Sequence, residues 1–189
     1  VPRFQTSPGV ADIMSHIIEC YFSDVHSAAV QAGISEALLK VCIEYGKAAV
    51  VTPTDYTARA NLMWASSLAI NGLTSCGTGN AWSCHAIEHQ LSAYYDITHG
   101  AGLAVVTPAW FEHILSEKTL DKFVSYGKNV WGISGEHPFA VAKEAIARTR
   151  EFLTSLGLPE TWRGLGINSS GLSQQRGAKQ VKRDIENDN

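Results

Sequence analysis

The chain has 189 residues, 45% hydrophobic and 17% charged, with a formal net charge of −3. That length suits one helical domain with a substantial core, and the charge gives no reason to expect nucleic acid or an acidic membrane surface as partner. No apolar run approaches the roughly 20 residues that span a bilayer.

No basic–apolar–small signal peptide opens the chain. It begins at Val1 without an initiator Met, close to the first recognisable helix, and we expect a fragment, a cleaved product or a piece cut from something longer. Gly9 to Phe22 reads as helix, with Ser7 as N-cap and Pro8 in the first turn. Val10, Ile13, Met14, Ile17, Ile18 and Tyr21 fall on one side of it, and Asp12, His16 and Glu19 on the other. Ser35 to Val50 reads as a second helix. A third is capped by Thr54 and stopped by Asn71 and Gly72.

Thr74 to Asn80 reads as a Gly-containing loop, and Trp82 to Tyr94 as a fourth helix. After a short connection a fifth starts near His99 behind Thr98 and passes Pro108 with a kink. Leu120 to Trp131 and Pro138 to Leu156 complete the series. No period-2 strand emerges; "AVVTP" at 49–53 and "LAVVTP" at 103–108 are placed at helix ends. The expected fold class is all-α, with a domain over residues 1–168 and a polar, weakly ordered tail over 169–189.

Cys20, Cys42, Cys76 and Cys84 are scattered and form no CxxC pair. Free thiols in a reducing cytoplasm are the expectation, and a cysteine-built zinc site is not.

The chemistry-bearing residues concentrate in two blocks. Asp12 and His16 stand at i and i+4, one turn apart on a single helix face. Read alone, such a pair is a solvent-facing acid and imidazole. His85 and His89 repeat the spacing with Glu88 between them, and His99 follows ten residues after His89. Three of seven histidines within fifteen residues make a surface role for each hard to sustain. Together Asp12, His16, His85 and His99 form a four-donor set of nitrogen and oxygen suited to Fe(II), Zn(II), Mn(II) or Ni(II). His26, His113 and His137 stand apart and read as surface residues.

Other readings compete. His85-Ala86-Ile87-Glu88-His89 matches the H-x-x-E-H pattern of inverted zincins, in which both histidines bind zinc and the Glu activates water. That reading leaves Asp12, His16 and His99 without a role. A non-catalytic helical module with incidental histidines is the third reading. "GTGN" at 77–80, "HGAG" at 99–102 and "RGLG" at 163–166 lack the strand-turn-helix context of a dinucleotide site. Trp82, Trp110, Tyr94 and Tyr95 read first as core, with some free to shape a pocket.

"GVADIMSHIIECYFS", "DYTARANLMWASSLAINGL" and "AWSCHAIEHQLSAYYDITHGAGLAVVTPAW" resemble the C-terminal half of the iron-containing (group III) alcohol dehydrogenases, in their butanol-dehydrogenase-like branch. The likeness runs from about Thr6 to Gly166. It implies the helical bundle of the dehydroquinate synthase-like fold, with a divalent metal (Fe2+ first, Zn2+ second) held by Asp12, His16, His85 and His99. It implies that His89 sits beside substrate and nicotinamide, where it positions the alcohol or relays its proton. It further implies an NAD(P)-dependent interconversion of primary alcohols and aldehydes, a nucleotide held mainly by an N-terminal α/β domain that this chain lacks, and homodimers. On that basis the chain is expected to be inactive alone.

Overall fold

The computed structural model describes residues 1–79 and 82–167. Among them the chain forms seven α-helices and no strand: α1 Arg3–Tyr21, α2 Ala29–Val51, α3 Tyr56–Ile70, α4 Ser83–Tyr95, α5 His99–Ile114, α6 Leu120–Asn129 and α7 Pro138–Ser155. A 3-10 turn, Trp162–Leu165, follows. The all-α expectation holds for the described residues, and the expected tail lies outside them.

α1 is the axis of the bundle. Its apolar stripe does what the 100° pattern predicts: Val10, Met14, Ile17 and Ile18 are each at most 1% exposed. Each such side chain contributes about 1.5–3 kcal/mol through burial. α1 packs against α2 and α3, and also against α4 and α5. Its polar side is therefore covered as well, with Ser15 1% and Glu19 2% exposed. A solvent-facing Asp12–His16 pair is thereby corrected: hydrophobic period identifies the greasy face, but not what covers the polar one.

α1 also starts six residues earlier than expected, and Pro8 lies inside it. Pro8 costs the helix its bond to the carbonyl of Phe4, a residue 72% exposed where water can serve that oxygen. Distant side chains tie the early turns down. Arg59 donates to Thr6 Oγ1 at 2.9 Å and to the Val1 carbonyl at 2.8 Å. Ser7, expected as the cap, instead donates to the Leu156 carbonyl at 2.7 Å.

Other boundaries differ as well. α2 begins at Ala29, not Ser35. Asp55, not Thr54, caps α3 by accepting from the Ala58 amide at 3.0 Å. Thr98 occupies the N-cap position of α5 without a side-chain cap bond. The "LAVVTP" segment runs through the middle of α5 rather than ending a helix, because its Val105 and Val106 are buried in the bundle. "RGLG" belongs to the 3-10 turn.

α5 approaches α1 unusually closely. A Cβ on Gly100 would stand 2.1 Å from the Pro8 carbonyl oxygen, so only glycine allows this crossing. The consequence is local to the site: the α5 N-terminus, with His99, is brought against the α1 face bearing Asp12 and His16.

Candidate metal centre

Three imidazoles turn one nitrogen each toward a single carboxylate oxygen. His16 Nε2 and His85 Nε2 lie 3.5 Å from Asp12 Oδ1, and His99 Nε2 lies 3.4 Å from it. α1 supplies the acid and one histidine, the first turn of α4 the second, and the first residue of α5 the third. The four residues singled out in the sequence thus come together.

Those separations are too long for strong hydrogen bonds. Donors about 2.1 Å from a shared ion at tetrahedral angles stand about 3.4 Å apart. Asp12 Oδ1 and His85 Nε2, which face each other, are buried without a hydrogen-bond partner, a costly arrangement unless something else satisfies them. The donor set therefore fits a divalent cation. No thiolate joins it: Cys84 packs with Leu103 and Val106 beneath the site.

The electrostatics follow from the same contacts. Burial pushes the Asp12 carboxyl up, but the adjacent His85 imidazole and the charges of His16 and His99 outweigh this and hold it below its ordinary value. Burial also opposes charge on His85, yet Asp12 and Glu19 together raise it to about 9. Burial, reinforced by the charge of His85, lowers His16.

Behind the donors stand two carboxylates. Glu19 Oε1 lies 2.6 Å from His85 Nδ1 and accepts the His85 amide at 3.0 Å, while its Oε2 accepts the Cys84 amide at 3.2 Å. Since α4 has no side-chain cap of its own, Glu19 serves as a cap reaching across from α1. Glu88, fully buried, contacts His99 Nδ1 through one oxygen and Ser92 Oγ through the other.

His89 is exposed and sits beside the cluster, its ring 5.1 Å from that of His99 and 6.0 Å from that of His85. Ligand-capable atoms of Glu88, His89 and His99 also lie within 4.8 Å of one another, forming a group that adjoins the first through His99. An open hollow of about 370 Å³ is lined by His16, Trp82, His85, Ala86, His89 and His99. Trp82 takes a left-handed backbone, φ 45°, and sets its indole edge 5.0 Å from the His16 ring and 4.9 Å from that of His85. A second, polar hollow of about 280 Å³ near the end of α1 gathers none of the predicted donors.

His26, His113 and His137 are exposed, as expected. Trp110 packs into the core, but Tyr94 is 60% exposed, against the expectation of burial. The inverted zincin geometry does not form. Glu88 is engaged by His99 and Ser92, and His85 Nε2 turns toward Asp12. Glu19 was legible only as one more residue on the polar side of α1, and Glu88 only as a candidate base.

Residues 6–183 match the Fe-containing alcohol dehydrogenase family, C-terminal, and the chain belongs to that family. It is 58% identical over 184 residues to NADH-dependent butanol dehydrogenase A of Clostridium acetobutylicum, covering 97% of this chain and 47% of that protein. Its fold matches the NADH-dependent butanol dehydrogenase A of Thermotoga maritima with a TM-score of 0.86 at 35% identity, over 92% of this chain and 43% of that one. The substrate- and cofactor-free aldehyde reductase YqhD of E. coli gives 0.86 at 31% identity, over 98% and 48%. The chain spans about half the length of these relatives.

Proposed function

We propose that this chain is the metal-binding part of an NAD(P)-dependent alcohol dehydrogenase that interconverts primary alcohols and aldehydes. The observation that carries the reading is the convergence of His16, His85 and His99 on one oxygen of Asp12. Asp12, His16, His85 and His99 hold a divalent ion, Fe2+ first and Zn2+ second. Bound there, the ion supplies Lewis-acid polarisation of an alcohol or aldehyde oxygen.

The protein's own residues do the rest. Asp12 contributes the negative charge that retains a dication, and the wall formed by Trp82 limits water on the His16 side. His89, exposed beside His99, orients the alcohol and passes its proton toward solvent during oxidation. A bound nicotinamide would accept the hydride, and His89 is the residue that would stand beside it. In this reading the nucleotide is held mainly by an N-terminal α/β domain of the complete enzyme, in the part of the relatives' length that this chain does not span. The chain alone binds metal without turning over. Scattered free thiols support a cytoplasmic setting, and no helix among the described residues is long and apolar enough to cross a membrane. The complete enzyme is a homodimer acting on small molecules.

Metal content decides between this reading and a module with incidental histidines. After loading and gel filtration, the protein should carry one divalent ion per chain, and Asp12→Ala and His99→Ala should carry almost none by elemental analysis. Stoichiometric metal in either variant would overturn the ligand assignment. A wild-type chain that retains no metal would overturn the function.

A further inference from the structure

The roles of Glu19 and Glu88 reach beyond the four donors. An imidazole offers two nitrogens, and which one faces a metal depends on what holds the other. Glu19 engages His85 at Nδ1, and Glu88 engages His99 at Nδ1. Both carboxylates are almost wholly buried, at 2% and 0% exposed. With Nδ1 of each ring turned to a carboxylate oxygen, Nε2 is the nitrogen left facing Asp12. His16 differs: its Nδ1 has no hydrogen-bond partner, and its ring is steadied by the edges of Trp82 and His85.

The packing around Glu88 is built to admit it. A Cβ on Gly102 would meet Glu88 Oε1 at 2.5 Å and Glu88 Cγ at 2.8 Å. Any side chain at that α5 position would force the Glu88 carboxylate, which Ser92 and His99 hold between them, to shift. Ser92, one turn further along α4, holds the other oxygen. Glu19 is held by three contacts, two of them the amides that begin α4.

We infer that Glu19 and Glu88 are positioning residues that set the tautomer and ring direction of His85 and His99, and that Gly102 exists to admit Glu88. The inference rests on the proposed ligand set. Glu88 thereby loses the water-activating role of the hydrolase reading and becomes the anchor of a ligand.

Two measurements on the chain test it, neither needing turnover. The first is titration of the metal-free protein with Co2+, followed by visible absorption. Glu88→Gln, Glu19→Gln and Gly102→Ala should each weaken Co2+ binding by roughly 10- to 100-fold while the circular-dichroism spectrum stays helical. Folded variants that bind Co2+ as tightly as wild type would overturn the inference and leave the ligand assignment standing. A wild-type chain that fails to bind Co2+ would instead bring down the proposed function, and this inference with it. The second measurement needs no variant and covers the case in which Glu19→Gln fails to fold. Nitrogen-15 NMR of the Zn2+-loaded wild type should show His85 and His99 protonated at Nδ1 and ligated through Nε2. Ligation of either histidine through Nδ1 would overturn the inference.

Discussion

His85 faces two carboxylates at once, Asp12 at Nε2 and Glu19 at Nδ1. In the metal-free protein this raises it to about 9, from the 6.5 of an unfolded chain. A raised histidine contributes stability that is fully present below about 6.5 and is lost as pH rises through about 9. The thermal midpoint of chelator-treated protein should therefore fall between pH 7 and 9.5, and fall less in His85→Gln. Parallel curves for the two proteins would contradict the contacts described. Metal reverses the sign, because ligation requires deprotonated imidazole and acid releases the ion. The thiols give an independent check on burial. Cys20, Cys42 and Cys84 are buried, and burial raises all three, Cys42 to about 12, while Cys76 is exposed. Under native conditions a thiol reagent should label one cysteine per chain, mapped to Cys76 by peptide mass; rapid labelling of Cys84 would contradict the packing beneath the site.

The helices differ in how much of them the sequence disclosed. α4, α6 and α7 lie within two residues of their expected bounds, because hydrophobic period and stop signals are local. α1 was clipped because Pro8 is a sound local sign of a helix start, whereas Arg59, Thr6 and Ser7 hold the earlier turns through partners far along the chain. The candidate donors stood out as two blocks, one of them the i, i+4 pair of Asp12 and His16, which survives in sequence. The two anchoring carboxylates did not, because Glu19 meets His85 across 66 residues and only folding reveals the pairing. Trp82 was legible as an aromatic free to shape a pocket but not as a wall of this site, because its left-handed φ is a property of the folded turn. The α1–α5 crossing yields a prediction of its own. Gly100→Ala places a methyl 2.1 Å from the Pro8 carbonyl, where backbone cannot yield cheaply. It should lower stability by roughly 1–3 kcal/mol, read as the denaturant midpoint, and weaken metal binding as His99 moves from Asp12. An unchanged midpoint would mean that the helices are less closely packed than described.

At the level of the whole molecule, the bundle brings α1, α4 and α5 together so that residues up to 87 positions apart share one point. Their donors stand on helices rather than loops, and the rings of His85 and His99 are held by buried carboxylates. Such a centre should be largely formed before metal arrives. Anomalous scattering at the iron edge from crystals of the Fe2+-loaded chain tests this most directly. A single peak about 2–2.3 Å from a carboxylate oxygen of Asp12 and from Nε2 of His16, His85 and His99 is the predicted result. A peak between Glu88, His89 and His99, or none near Asp12, would contradict it.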